Sequence, residues 1–261
     1  MNQKEIEDRL KAEQEAIQNC ASIPIHNIEY IQANGYLLAV NLRTNIIVSV
    51  SENITDLFDF SIDKILGSNA NDILPREIIH QCNNARGHST IETQREYVGR
   101  LTTKNIVKDV FAHVKKERLI LEFQFTNQEA NSTLKMLEEV NQVVSKMNAI
   151  TDENVLLEQV VFELFAISGY DRVKAYKFLS DGSGEIVAES SAYKIDTFLG
   201  HRFPSYDIPE SARKLYETTP IRIIPSVNAD QVKLLSNDSQ LEPLDLSLAL
   251  FRGIVPVQKM Y

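Results

Sequence analysis

Between residues 129 and 168 the hydrophobic period of this chain is helical, and on either side of that stretch it is not. Leu134, Leu137, Val140, Val144 and Met147 share one stripe. After Thr151-Asp152, a helix-start pair, Leu156, Val160, Phe162, Leu164 and Phe165 share another. The flanking regions carry short, often alternating apolar runs instead. With 261 residues available, one large or two ordinary domains are expected, and strands, then small helices, then strands ahead of the block fit an α+β fold. The first stripe serves either as a dimerisation seam or as the face of a helix packed on its own sheet.

Residues 3–19 are helix formers of mixed charge, an amphipathic arm or a solvated tail. Tyr36 to Val40 and Ile46 to Val50 read as strands around a turn at Arg43-Thr44-Asn45. Asn53 and Asp56 open a short helical region, and another helix follows Pro75, with apolar positions Ile78 and Ile79. Val107 to Val114 and Leu119 to Phe125 alternate like a half-buried antiparallel pair. Past the helical block, Val173 to Leu179 and Glu185 to Glu189 flank Asp181-Gly182-Ser183-Gly184 as a hairpin. A helix from Pro209, a strand at Ile221 to Ile224, a long polar loop from Asn228 to Pro243 and a helix from about Leu246 complete the expectation. A structureless connection of that length is usually functional.

Charge and composition narrow the function. Apolar residues make up 43% and charged residues 24%, the balance of a soluble globular protein. A net charge of −9 argues against nucleic acid as partner. No apolar run approaches the roughly 20 residues that span a bilayer, and the amino terminus lacks an apolar signal core, so a cytoplasmic location is expected. Two cysteines, Cys20 and Cys82, make no disulfide framework. Cys82 reads as a helix-packing residue. The five histidines lack metal-ligand spacing, and phosphate loops, dinucleotide fingerprints and nucleophile elbows are missing, so neither a metal site nor an enzyme is expected.

The densest local signal is Phe203-Pro204-Ser205-Tyr206-Asp207-Ile208-Pro209. Its two prolines stiffen a loop that presents one carboxylate among Phe198, Phe203, Tyr206 and Tyr216. Such a loop suits a planar ligand with a cationic or N–H-rich centre. Equally, Asp207 could simply cap the helix that starts at Pro209.

This heptad resembles the chromophore loop of bacteriophytochromes, and the resemblance extends over residues 20–261. Cys20 precedes Ile23-Pro24-Ile25-His26 and the run from Ile31 to Leu38, as the bilin-linking cysteine of that family does. Tyr170 to Phe178 resembles the first sensor-domain strand; Leu215-Tyr216, Pro220 to Pro225 and Leu244 to Arg252 follow in the family's order. The resemblance implies an arm over 1–22, a PAS-like domain over 23–127 and a GAF-like chromophore-binding domain over 128–261. It implies antiparallel sheets with flanking helices, and a knot in which the arm passes through the 228–243 lasso with Ile31 as the threaded residue.

By the same resemblance the chain is a red/far-red photoreceptor module that binds biliverdin covalently, with Cys20 forming the thioether. Arg222 and Arg252 would pair with propionates, where a guanidinium can grip a carboxylate. Asp207, with Ile208 and Pro209 beside it, would face the pyrrole nitrogens, while Tyr176, Phe198, Phe203 and Tyr261 wall the photoisomerising ring and Tyr216 completes the set. Implied partners are the bilin, a second copy of the chain, and a downstream signalling domain or response regulator. Gln258 stands where the family places a histidine; it can hydrogen-bond but cannot titrate. Asn34, Tyr206 and Lys174 also depart from the family pattern, Lys174 at a position usually apolar. The GAF-like domain stops short at Tyr261, as expected of a fragment of a longer protein. Two other readings stay open: an interaction or dimerisation module that has lost its chromophore, and a small-molecule sensor without a light response.

Overall fold

The computed structural model describes residues 29–87, 92–125, 130–193, 195–208, 210–219, 221–237 and 242–254. They form two compact units, one of residues 1–126 with 211–261 and one of residues 127–210.

The first unit is built on seven strands: β1 (Tyr30–Gln32), β2 (Tyr36–Asn41), β3 (Ile47–Ser51), β4 (Glu96–Thr103), β5 (Ile106–Lys115), β6 (Arg118–Phe125) and β10 (Gln231–Ser236). Their order across the sheet is β1-β10-β3-β2-β6-β5-β4, with every neighbouring pair antiparallel. A 3-10 turn at Glu52–Asp56 and the helices α1 (Ile62–Ile65), α2 (Ala70–Ile73) and α3 (Arg76–Gly87) link β3 to β4. Strand geometry sends alternate side chains to opposite faces. Leu38, Val40, Val50, Val110, Leu121 and Phe123 meet Ile54, Leu57, Ile78 and Cys82 on one face. Leu37, Ala39, Val48 and Ile120 meet Ile31, Leu244, Leu246 and Ala249 on the other. Both faces are covered, which is uncommon for an antiparallel sheet and explains why β2 reads as a continuous apolar run.

The strands expected at 36–40, 46–50, 107–114 and 119–125 are present, as is the helix after Pro75, and Cys82 is buried as a packing residue. Four features differ. Strand β4 was not expected, because a bulge between Tyr97 and Gly99 breaks its alternation and its buried residues, Val98 and Leu101, fall three apart. Strand β10 lies inside what read as a structureless loop. Residues Ile221 to Ile224 form no strand; Ile221 is 62% exposed, and the Ile223 carbonyl accepts from the Gln32 side chain rather than from a neighbouring strand (2.9 Å). The segment from Leu246 is a turn, not a helix. The Leu250 and Phe251 amides that would extend it donate instead to the Glu122 carboxylate, at 2.9 and 3.4 Å.

In the second unit, α4 (Ala130–Asn148) and α5 (Glu153–Ser168) precede β7 (Arg172–Phe178), β8 (Gly184–Ser191) and β9 (Arg202–Phe203), which form an antiparallel sheet in that order. Asp152 caps α5, accepting from the Asn154 and Val155 amides at 2.9 and 3.0 Å. Gly169 ends the helix at φ 67°, a left-handed conformation that glycine adopts without strain. Lys146 and Glu163 join the two helices by an ion pair of 2.7 Å. Helix α6 (Glu210–Thr218), close to the start expected at Pro209, follows in the chain and from residue 211 on belongs to the first unit. The compact units divide the chain after residues 126 and 210, with β10 and the segment after it packed on the first sheet.

Candidate functional site

In the second unit, the sequence of β7 places Arg172, Lys174, Tyr176 and Phe178 on one face, since alternate residues share a side. Tyr176 lies 6.0 Å from Phe203 between ring centroids, and Phe203 lies 6.4 Å from Phe198. Gly184 sets the position of Tyr176. A Cβ at residue 184 would stand 2.0 Å from the tyrosine ring, so only glycine lets the ring lie there. Phe198 is carried on a loop that a single carboxylate organises. Glu189 Oε2 accepts from Thr197 Oγ1 and from the Phe198 and Leu199 amides, the latter two at 2.7 and 3.1 Å. Burial works to raise the Glu189 carboxyl, but these bonds and the Arg172 charge hold it below the usual carboxylate range. Arg172 Nε stands 3.0 Å from Glu189 Oε1, as a charge partner rather than an aligned hydrogen bond. Two cations rest on the Phe198 ring: the Arg172 guanidinium at 4.5 Å and the Lys174 ammonium at 4.6 Å. Asp207 and Ile208 are half-buried in a turn closed by the Asp207 amide on the Pro204 carbonyl (3.1 Å), and burial raises the Asp207 carboxyl.

In the first unit, Tyr216, Arg222 and Arg252 form a second constellation. Arg252 is 3% exposed, and its Nε and Nη1 have no hydrogen-bond partner among the described residues. Burial and then the like charge of Arg222 bring its guanidinium down to about 10, with Tyr216 acting in the opposite sense. Arg222 Nη2 donates to the Gly253 carbonyl at 3.2 Å, which ties the two arginine-bearing segments together. Two guanidiniums held close, one with buried donors left over, form a place for an anion.

Backbone pairing holds that segment in place. Ile31 pairs with Val232 of β10 on one side and with Arg252 on the other, so β1 is clamped between two parts of the same returning chain. The Gln32 amide donates to the Phe251 carbonyl and the Gly253 amide to the Tyr30 carbonyl, at 2.9 and 2.7 Å. The Gln32 side chain adds a bond to the Arg252 carbonyl at 3.1 Å. The arm, which the resemblance threads with Ile31 through the lasso, falls outside the described residues.

Sequence reading missed a buried polar cluster beneath this segment. Glu122, on β6, lies 3.7 Å from Arg95 and 3.8 Å from His113. Burial raises the Glu122 carboxyl, opposed by Arg95 and by the Phe251 and Leu250 amides. Burial, with Arg95 and Lys115, pushes the His113 imidazole down to about 3, against the pull of Asp245. The only hint in the sequence is polar residues alternating with core residues in β5 and β6, which reads as a solvated sheet face until the covering segment is known.

The structure therefore groups the expected site residues in two sets: Tyr176, Phe198 and Phe203 in one unit, and Tyr216, Arg222 and Arg252 in the other. Cys20, Pro209, Gln258 and Tyr261 lie outside the described residues. No group of metal-ligating side chains occurs among the described residues, and no described helix is long and apolar enough to cross a membrane.

A family model described as a PAS fold matches residues 20–126. A bacteriophytochrome of Pseudomonas aeruginosa is 32% identical over 251 residues, covering 93% of this chain and 33% of that protein. Cyanobacterial phytochrome B of a Nostoc species is 26% identical over 94% of this chain and 33% of its own length. The solved chromophore-binding domain of an unusual bacteriophytochrome from R. palustris superposes with a TM-score of 0.81 at 27% identity, covering 93% of this chain and 80% of that one. The wild-type chromophore-binding domain of Stigmatella aurantiaca phytochrome P1 gives 0.81 at 28% identity over 93% and 81%. These matches show that the chain is similar to the photosensory regions of bacteriophytochromes. It has the α+β fold of antiparallel sheets with flanking helices, and it spans about one third of the length of the curated relatives it matches.

Proposed function

We propose that this photosensory region binds a linear tetrapyrrole, biliverdin, and acts as a red/far-red light sensor for an output module encoded elsewhere in a longer protein. The observation that carries the reading is Arg252, buried beside the charge of Arg222, whose Nε and Nη1 have no hydrogen-bond partner among the described residues. A bilin has two propionates, an apolar rim and N–H groups at its centre, and the residues present match each feature. Arg222 and Arg252 hold carboxylate, and Tyr176, Phe198 and Phe203 supply an apolar wall. Asp207, in its stiff turn, offers acceptors toward pyrrole N–H groups. Cys20 adds its thiol across a vinyl group, so that an S–C bond forms and the thiol hydrogen ends on the neighbouring carbon. When bound, the pigment supplies absorption of red light and a methine bridge that can isomerise. The protein's part is to hold two arrangements of Asp207 and Tyr261 that the two isomers favour differently.

Pro209 and Gln258 are further proposed bilin contacts, Gln258 as a donor and acceptor that does not titrate. The lasso passage around Ile31, the domain bounds of 23–127 and 128–261, a cytoplasmic location, a homodimer and a response-regulator partner are parts of this proposal. Catalysis, where the longer protein has it, belongs to its output region.

The test is to incubate the purified protein with biliverdin, denature it and look for pigment that remains attached. Attachment that disappears in Cys20→Ala supports the reading. No attachment, to this chain or to one extended past Tyr261, overturns it in favour of a colourless PAS–GAF interaction module.

A further inference from the structure

Gln32 of β1 and Gln231 of β10 stand opposite each other in the sheet register, and both reach the segment that carries Arg252. They do so differently. Gln231 is satisfied at both ends: its Nε2 donates to the Ile254 carbonyl and its Oε1 accepts from the Ile254 amide, each at 2.9 Å. That is the pattern of a side chain that fastens one strand-like edge. Gln32 donates from Nε2 to the Ile223 carbonyl at 2.9 Å and to the Arg252 carbonyl at 3.1 Å. Its Oε1 has no hydrogen-bond partner among the described residues, although Gln32 is only 1% exposed. A buried acceptor in that position costs stability, so the fold alone is a poor reason for glutamine here. What the nitrogen joins is more telling. An amide nitrogen carries two hydrogens, and one goes to the residue beside Arg222 while the other goes to Arg252 itself. Arg222 Nη2 closes the loop on the Gly253 carbonyl.

We infer that Gln32 is a positioning residue for the anion site, holding the Arg222 and Arg252 segments at one fixed separation so that a pigment with two carboxylates is preferred over one without. The inference rests on the bilin reading above. Gln32 acts through two backbone carbonyls and needs no contact with pigment. A guanidinium grips a carboxylate with two parallel bonds only when its plane is fixed, so freeing the two segments weakens the grip and leaves an apolar wall untouched.

The experiment titrates biliverdin, and separately its dimethyl ester, into Cys20→Ala protein with and without Gln32→Met. Cys20→Ala keeps binding reversible, the ester removes the charge of both propionates, and methionine keeps the length of glutamine without its N–H donors. Affinity for biliverdin should fall about tenfold in Gln32→Met, the scale of one hydrogen bond to a charged group, while affinity for the ester stays the same. An equal fall for both pigments, or none for biliverdin, overturns the inference and leaves the bilin reading intact. Circular dichroism checks that Gln32→Met folds. Should it not, the Gln32 side-chain N–H hydrogens of the protein that retains Gln32, followed by NMR, give the second readout. They should exchange more slowly with biliverdin bound than with the ester, and equal exchange overturns the inference. Failure of the unsubstituted protein to take up biliverdin at all overturns the bilin reading itself.

Discussion

The two units differ most in how completely they are packed. In the first, β2 and β6 are buried on both faces, by the helices on one side and by the 244–254 segment on the other. In the second, Val161, Ile186 and Ala188 are the apolar residues buried below a tenth of their surface among those described, while Phe162, Leu164 and Ile167 of α5 stay well exposed. The first unit is a finished core. The second is a looser scaffold whose aromatic face is only partly buried. This contrast predicts a more stable first unit and a more responsive second one, because low-stability elements are where binding can shift a population.

The largest expected effect is at the centre of the first unit. Phe123 is fully buried and packs edge-on against Phe58, so Phe123→Ala should cost about 3–5 kcal/mol in urea unfolding. Phe203→Ala, in the second unit, should cost under about 1 kcal/mol while sharply weakening biliverdin uptake. Equal costs at the two positions would break the contrast.

Glu122→Ala comes next, at about 1–3 kcal/mol, because it strands the Leu250 and Phe251 amides. It should also loosen the segment carrying Arg252 and so lower pigment affinity. Glu122→Gln keeps an acceptor oxygen and should recover most of both. Loss of stability without loss of affinity would separate the clamp from the site.

A smaller, pH-dependent effect comes from His113. Its imidazole is held down to about 3 from 6.5, so the unfolded chain binds a proton first as pH falls. The folded state then loses up to about 1.4 kcal/mol per pH unit from this group below 6.5. Glu122, whose carboxyl is raised, works the other way, since its protonation on acidification relieves the fold. If His113 dominates, His113→Gln flattens the acid limb of the stability curve between pH 6.5 and 3, and an unchanged slope would assign that limb to other groups. Gly184→Ala acts through the Tyr176 ring, which it should displace, altering the spectrum of the loaded protein at a cost of about 1 kcal/mol.

How far the sequence revealed this structure follows the same division. Strands with clean alternation or continuous apolar runs, and helices with caps such as Asp152, were legible because their signals are local. Strand β10 and the turn at 246–251 were not, because their partners lie some 180 and 130 residues away along the chain, at β3 and Glu122. The helix expected from Leu246 fails at the amides a distant carboxylate captures. Within the site, Arg222 and Arg252 were legible only through family resemblance. A lone arginine in a sequence does not announce that it will be buried without a partner.

Hydrogen exchange measured with and without biliverdin tests the division of labour most directly. Amides of β7, β8 and the 195–208 loop, and those around Arg222 and Arg252, should gain protection when pigment binds, while the slow amides of β2, β5 and β6 stay as they were. Unchanged exchange in the second unit of a protein that carries attached pigment would show that its aromatic face is not where the ligand acts.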